Sequence, residues 1–307
     1  MSGPLSGIKI IDLTTVLMGP SATQMLGDLG AEVIKIEPLK GDVIRYSNQG
    51  RNHGMSNLFL NCNRNKKSLV LNLKHKKGKA ALLKLVKEGD VLVSNVRPKA
   101  MERFGLSYKE VAAINPKIIY VSCFGFGQKG PYAERAAYDD IIQTMVGIPN
   151  LFQRAYNEEP KFLPSNFCDR VTGLNAVNMV TAALFYRERT GKGQLVEVPM
   201  YETMLQFLLG DHLGGYTFEP PKGEPGYARI VNPNRKPYKT KDGYIALLVY
   251  NDKQWAAFLP LIERTDLVGE GIFANMSVRG QNIKEVYGFV KIEVAKKTTA
   301  QLSLIHI

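Results

Sequence analysis

The chain has 307 residues, 45% of them hydrophobic and 22% charged, with a formal net charge of +12. That length supports a large core in two domains or in one with a sizeable insertion, and no apolar run approaches the ~20 residues of a bilayer span. The basic residues are spread along the chain in small clusters such as Lys74-His75-Lys76-Lys77-Gly78-Lys79, and no nucleic-acid module is legible, so neither nucleic acid nor membrane is expected as a partner.

In chain order, Ile8–Leu13 reads as a strand, followed by a turn through Gly19-Pro20 and a helix over Ser21–Leu29 that Gly30 ends. Strands are predicted at Ala31–Glu37, Ser68–Leu73, Asp90–Asn95 and Lys117–Phe124. Helices fall between them at about Lys76–Glu88, Lys99–Phe104 and Ser107–Asn115. Such β-α alternation predicts an α/β fold with a doubly wound parallel sheet, whose ligands sit at strand C-termini. A helix over Arg170–Arg189, a strand over Gln194–Met200 and a helix over Tyr201–His212 complete a large Rossmann-like domain, residues 1–213. Residues 214–241, rich in Gly, Pro, Asn and Lys, read as a linker. A strand at Tyr244–Val249, a helix at Asp252–Ile262 and another at Ile283–Ala295 then belong to a smaller α/β domain, residues 242–307. That domain reads as incomplete, and the last six residues, Leu302–Ile307, look like a translated sequencing-adapter tail.

Asp169 closes the polar loop Pro164-Ser165-Asn166-Phe167-Cys168-Asp169 directly before the apolar periodicity of the next helix. There it is an N-cap by residue type. A carboxylate at the positive end of a helix dipole is also favoured as the ion, by about 0.3–1 kcal/mol, and carboxylates can be nucleophiles. Gly125-Phe126-Gly127-Gln128-Lys129-Gly130 matches a dinucleotide fingerprint in its glycines. Pro131 follows it, however, and no acidic residue stands ~20 positions on, so a glycine-rich lid is the expectation. There is no G-x-S-x-G elbow. Cys168 has no histidine placed to activate it and reads as a small buried residue. Three separated cysteines, Cys62, Cys123 and Cys168, fit reduced thiols, and the N-terminus lacks the features of a signal peptide, which predicts a cytoplasmic location. His53, His75, His212 and His306 share no ligand-like spacing with one another or with the cysteines, so no metal is expected.

Several segments together resemble the family III CoA-transferases, the CaiB/BaiF group that includes formyl-CoA and carnitine CoA-transferases. They are Leu5–Leu13, Gly19-Pro20, Leu29–Pro38, Gly41-Asp42, Leu60–Ser68, Leu71–Lys74, Asp90–Asn95, Arg103–Leu106 and Phe185–Gln194, in family order over roughly residues 5–262. The resemblance implies acyl-CoA and carboxylic acid substrates, with no permanently bound cofactor. It makes Asp169 the nucleophile and places CoA contacts at Val16, Leu17, Lys74, Asn95, Arg103 and Tyr138. Charge-assisted bonds from Lys74 and Arg103 suit the phosphates of CoA. Gly125, Gly127 and Gly130 are candidates for a lid or for oxyanion donors. Formyl-CoA transferase has Arg where Pro38 stands, so either Arg45 replaces that contact or no residue does. The family's glycine run before the small-domain strand is absent, and Ile230–Tyr238 fills that region.

The same fold hosts α-methylacyl-CoA racemases, which carry His where Tyr138 precedes Asp139 here. A phenol with a pKa near 10 is a poor base at neutral pH, which favours a transferase. In the family the completed chain forms an interlocked homodimer. The alternative reading, for a chain that ends at Ile307, is a CoA-binding fragment without turnover.

Overall fold

A computed structural model describes residues 2–303. The elements run β1 (Lys9–Asp12), α1 (Met18–Asp28), β2 (Glu32–Glu37), α2 (Asn57–Asn63), β3 (Lys66–Val70), α3 (Lys76–Glu88), β4 (Val91–Ser94), α4 (Pro98–Arg103), α5 (Tyr108–Ile114) and β5 (Ile119–Phe124). They continue α6 (Asp139–Met145), α7 (Ile148–Tyr156), α8 (Phe167–Thr190), β6 (Gln194–Pro199), α9 (Met200–His212), β7 (Tyr238–Lys239), β8 (Tyr244–Ile245), α10 (Asp252–Leu261), α11 (Met276–Gln281), α12 (Ile283–Val294) and α13 (Thr299–Ser303). The chain divides into two compact units, Met1–Gly147 with Phe162–Leu208, and Ile148–Lys161 with Leu209–Ile307. The unit boundary therefore falls inside α9, at a different place from the 213/214 boundary read from composition. Among the described residues no helix is long and apolar enough to cross a membrane.

The first unit is built on a six-stranded, all-parallel sheet in the order β3-β2-β1-β4-β5-β6. Strand order reverses between β1 and β4, the point at which doubly wound folds open a crevice at the strand C-termini. The central strands are continuous apolar runs, Val91-Leu92-Val93 in β4 and Ile119–Val121 in β5, as burial on both faces requires. One core cluster packs Leu82 and Val86 of α3 and Val111 of α5 onto Ile11, Leu92 and Tyr120.

The C-terminal end of β1, the second half of β2, the start of β3 and the loop after β2 share a buried charge network. Asp12, Lys35, Glu37 and Asp42 are all nearly inaccessible. Lys66 Nζ stands 3.0 Å from Asp12 Oδ2, Lys35 Nζ 2.9 Å from Asp42 Oδ2, and Arg45 Nη2 2.6 Å from Glu37 Oε1. Arg45 Nε also donates to Glu37 Oε2 at 2.7 Å, and Ser68 Oγ to Oε1 at 2.6 Å. Burial raises the pKa of Glu37, but these bonds outweigh it and bring the pKa down to about 2. Arg45 is thus committed to Glu37, which favours the second alternative, that no residue replaces the family arginine.

The second unit has its own core, in which Trp255 and Phe258 of α10 pack with Phe273, Val286, Tyr287 and Val290. β7 and β8 form a two-residue antiparallel pair, so the strand expected over Tyr244–Val249 is shorter than its alternation suggested. Residues 214–241, expected as a linker, belong to this unit. Tyr238 is buried in its core, and Arg229 Nε donates to Tyr287 Oη at 2.7 Å. An aperiodic segment hides such anchors, because its buried residues follow no regular spacing. Leu302 is also buried in this core, whereas residues 304–307 of the expected tail lie outside the described residues.

Replacing Lys66 with Met should leave Asp12 short of its main counter-charge at full burial. A loss of about 3–5 kcal/mol is expected in urea denaturation; a loss under 1 kcal/mol would mean that Lys35 compensates.

Candidate active site

A cavity of ≈ 1120 Å³ opens at the sheet's switch point, lined by the turns after β1, β4 and β5. Val16, Leu17, Asn95, Arg103, Gly125, Tyr138 and Asp169 all line it. Lys74 is exposed in the turn before α3 and does not line it, and neither do Gly127 and Gly130.

The turn after β1 is held group by group. Asp12 Oδ1 accepts from Thr14 N at 2.8 Å, and Lys35 Nζ donates to Thr14 O at 2.8 Å. The Asn95 side chain grips both sides of Thr15, accepting from its N–H at 2.9 Å and donating to its carbonyl at 2.8 Å. Asp42 Oδ1 accepts from Val16 N at 3.2 Å. Held in this way, Val16 adopts φ +69°. For a β-branched residue that region is a true outlier, costing on the order of 1–3 kcal/mol, and it persists only where the surroundings over-determine it. With both ends of its amide engaged, Asn95 shapes the turn.

Asp169 lies in the third position of α8, not before it. The helix starts at Phe167, and Asn166 is the N-cap residue, with no side-chain cap bond. The expected capping role of Asp169 is therefore corrected: apolar periodicity becomes visible only at Val171, but the backbone turns two residues before Asp169. Gly173, one turn on, lets α8 approach α1 closely; a Cβ there would stand 2.7 Å from Ser21 Oγ and 3.0 Å from Met18 O. That approach brings Asp169 to the cavity that the strained turn lines.

The main-chain N–H of Asp169 donates to Asp139 Oδ1 at 2.9 Å, and Asp139 Oδ2 accepts from Gln143 Nε2 at 2.7 Å. Burial first, and the Asp139 charge second, push the Asp169 carboxyl up to about 7, against a smaller lowering by Arg170. The helix dipole, at about 0.3–1 kcal/mol, is worth less than one pKa unit and loses to these effects. Burial likewise pushes the Cys168 thiol up to about 12, leaving a neutral buried thiol beside the carboxylate.

The glycine-rich segment is tied down. Gly127 N donates to Glu202 Oε1 at 2.8 Å, Gly130 N to Gly127 O at 3.3 Å, and Tyr201 N to Gly125 O at 2.9 Å. The N–H groups of Gly127 and Gly130 are thus already engaged, which counts against both as oxyanion donors. Arg97 and Arg135 line the cavity beside Arg103, all three exposed and, among the described residues, without a carboxylate partner. Sequence reading passed over Arg97 and Arg135; their place just after β4 and in the β5–α6 loop was the available signal.

A doubly wound sheet with a cation-rimmed cavity at its switch point defines a coenzyme-binding α/β protein. Within that class the chain belongs to CoA-transferase family III, whose family model matches residues 5–305. It is 36% identical over 308 residues to an acyl-CoA transferase of Fusarium pseudograminearum, covering 96% of this chain and 67% of that one. It is 35% identical over 302 residues to the succinyl-CoA:glutarate CoA-transferase of Mus musculus, covering 97% and 68%. The crystal structure of a CaiB/BaiF family protein from Brucella suis superimposes with a TM-score of 0.80 at 32% identity, covering 99% of this chain and 81% of that one. The chain is accordingly a CoA-transferase.

The folded-state pKa of Asp169 lies above its ordinary 3.8. Its contribution therefore favours folding below pH 3.8 and is lost as pH rises through about 7. Asp169→Asn should raise the denaturation midpoint at pH 8 and leave it unchanged at pH 3.5. Asp139→Asn should bring the Asp169 pKa down, read by carboxyl ¹³C NMR, while burial keeps it above 3.8; an unmoved value would exclude Asp139 as a cause.

Proposed function

We propose that the protein moves CoA from an acyl-CoA donor to a carboxylic acid through covalent intermediates on Asp169. The observation that carries this reading is a half-buried carboxyl of raised pKa in the cation-rimmed cavity. Raised basicity makes the ionised form a stronger nucleophile, and near neutral pH much of the group is ionised.

In the proposed sequence, a carboxylate oxygen of Asp169 attacks the donor thioester carbonyl. The C–S bond breaks, and CoA leaves as thiolate from a mixed anhydride. The thiolate then attacks the aspartyl carbonyl, releasing the donor's acid as carboxylate and leaving an aspartyl–CoA thioester. The acceptor carboxylate attacks that thioester, freeing CoA thiolate and forming a second anhydride. Attack of the thiolate on the acceptor's acyl carbon yields the new acyl-CoA and restores Asp169. No net proton or electron is exchanged. Water must be kept out, because anhydrides hydrolyse readily.

Arg97, Arg103 and Arg135 are proposed to hold the CoA phosphates by charge-assisted bonds, with Val16, Leu17 and Tyr138 along the thioester arm. Lys74, exposed outside the cavity lining, would reach only a phosphate at its edge. The mouse relative is named for succinyl-CoA and glutarate, so short dicarboxylic acids are the first acceptors to test. A homodimer fits the exposed Leu174 and Phe185 of α8 and Phe207 of α9, and a cytoplasmic location fits three unpaired, buried cysteines.

Asp169→Ala should abolish transfer between succinyl-CoA and an acid panel while leaving CoA binding by calorimetry within about threefold. Hydroxylamine treatment of the donor-loaded protein should mark the peptide holding Asp169, and a mark on Cys168 would move the nucleophile. In heavy water the donor's α-proton should stay in place, because Tyr138 stands where a racemase needs a base. Rapid α-deuteration would overturn the transferase reading.

A further inference from the structure

Five consecutive main-chain polar groups, from Thr14 N to Val16 N, are each bonded to a side chain. The last of these bonds comes from Asp42, which is fully buried and outside the cavity lining. Asp42 is itself fixed from two sides: Lys35 Nζ lies 2.9 Å from Oδ2, and its own N–H donates to Glu37 Oε2 at 2.9 Å. Its Oδ1 also accepts from Ile44 N at 3.2 Å, so the carboxylate has little freedom to follow the turn if the turn relaxes. Val16, by contrast, has an intrinsic drive to relax, because the left-handed region suits glycine and not a β-branched side chain.

We infer that Asp42 is a positioning residue for the transfer reaction: from inside the buried charge network it holds Val16 in the left-handed conformation, and so fixes the cavity wall formed by Val16, Leu17 and Met18 beside Asp169. The inference rests on the functional reading for its consequence in turnover. The mechanical part, a carboxylate restraining a strained turn, stands without it. Asp42 touches no substrate in this scheme and acts only through the backbone of the turn.

The test is a double-mutant cycle between Asp42→Asn and Val16→Gly. In the Val16 background, Asp42→Asn should lower kcat/KM for the acyl-CoA donor by about tenfold or more, equivalent to ~1.4 kcal/mol, with the loss mainly in KM. In the Val16→Gly background the same change should cost less than about threefold, because glycine holds the conformation without restraint. Equal losses in the two backgrounds would overturn the proposal, since a purely structural Asp42 would act additively. If Asp42→Asn does not fold, Asn95→Ala in the same two backgrounds reads the adjoining restraint on Thr15 by the same criterion. Amide exchange on the ligand-free protein separates the clamp from the chemistry. The Val16 N–H should exchange about tenfold faster in Asp42→Asn than in wild type, and unchanged protection would refute the clamp even if transfer were lost. Wild-type protein with the protected amide but no CoA transfer would instead refute the functional reading alone.

Discussion

Buried charge at the ends of β1, β2 and β3 is the constraint on which the geometry of this site depends. Three carboxylates, Asp12, Glu37 and Asp42, meet three cations, Lys35, Arg45 and Lys66, so the group is neutral as a whole. Removing six charges from water costs several kcal/mol per ion before any attraction returns it, and apolar residues of similar volume would often be as stable. Hydrophobic replacements could not do what these side chains do to the backbone. Asp12, Lys35 and Asp42 engage main-chain groups of Thr14 and Val16, a region that would otherwise be a free loop. The network thus converts the sheet's rigidity into a fixed and strained turn at the cavity wall.

The carboxyl of Asp169 illustrates a second use of unfavourable electrostatics. Its position in the first turn of α8 would by itself stabilise the ion, yet burial and the neighbouring Asp139 carboxylate act the other way and prevail. The hydrogen bond that Asp139 takes from the Asp169 N–H both anchors the helix start and keeps a like charge close. Burial acts in the same direction on the adjacent thiol, pushing Cys168 up to about 12 and making it a poor thiolate former.

Legibility in the sequence followed periodicity. The parallel sheet was readable because its central strands are apolar runs punctuated by helices of amphipathic pattern, and β4, β5 and α3 fall within a residue or two of their expected bounds. Short helices, α2, α7, α11 and α13 among them, escaped notice because five to nine residues give too few repeats for a pattern. The Ser56 cap, accepting from Phe59 N at 3.1 Å, was the visible cue for α2. The anchors of residues 214–241, Arg229 and Tyr238, were illegible for a related reason, since they are isolated in an aperiodic stretch.

The sequence by itself determined the alternating α/β order and the family resemblance, and it singled out Asp169 as a candidate, because these depend on residue type and on spacing along the chain. Tertiary structure alone decided that Arg45 is committed to Glu37, that Asn95 grips Thr15, that the N–H groups of Gly127 and Gly130 are already engaged, and that Asp139 sits against Asp169. Each of those facts joins residues from 3 to 80 positions apart, and several are contests between burial and charge. Burial and charge depend on distances in space, which a linear order of residues does not contain.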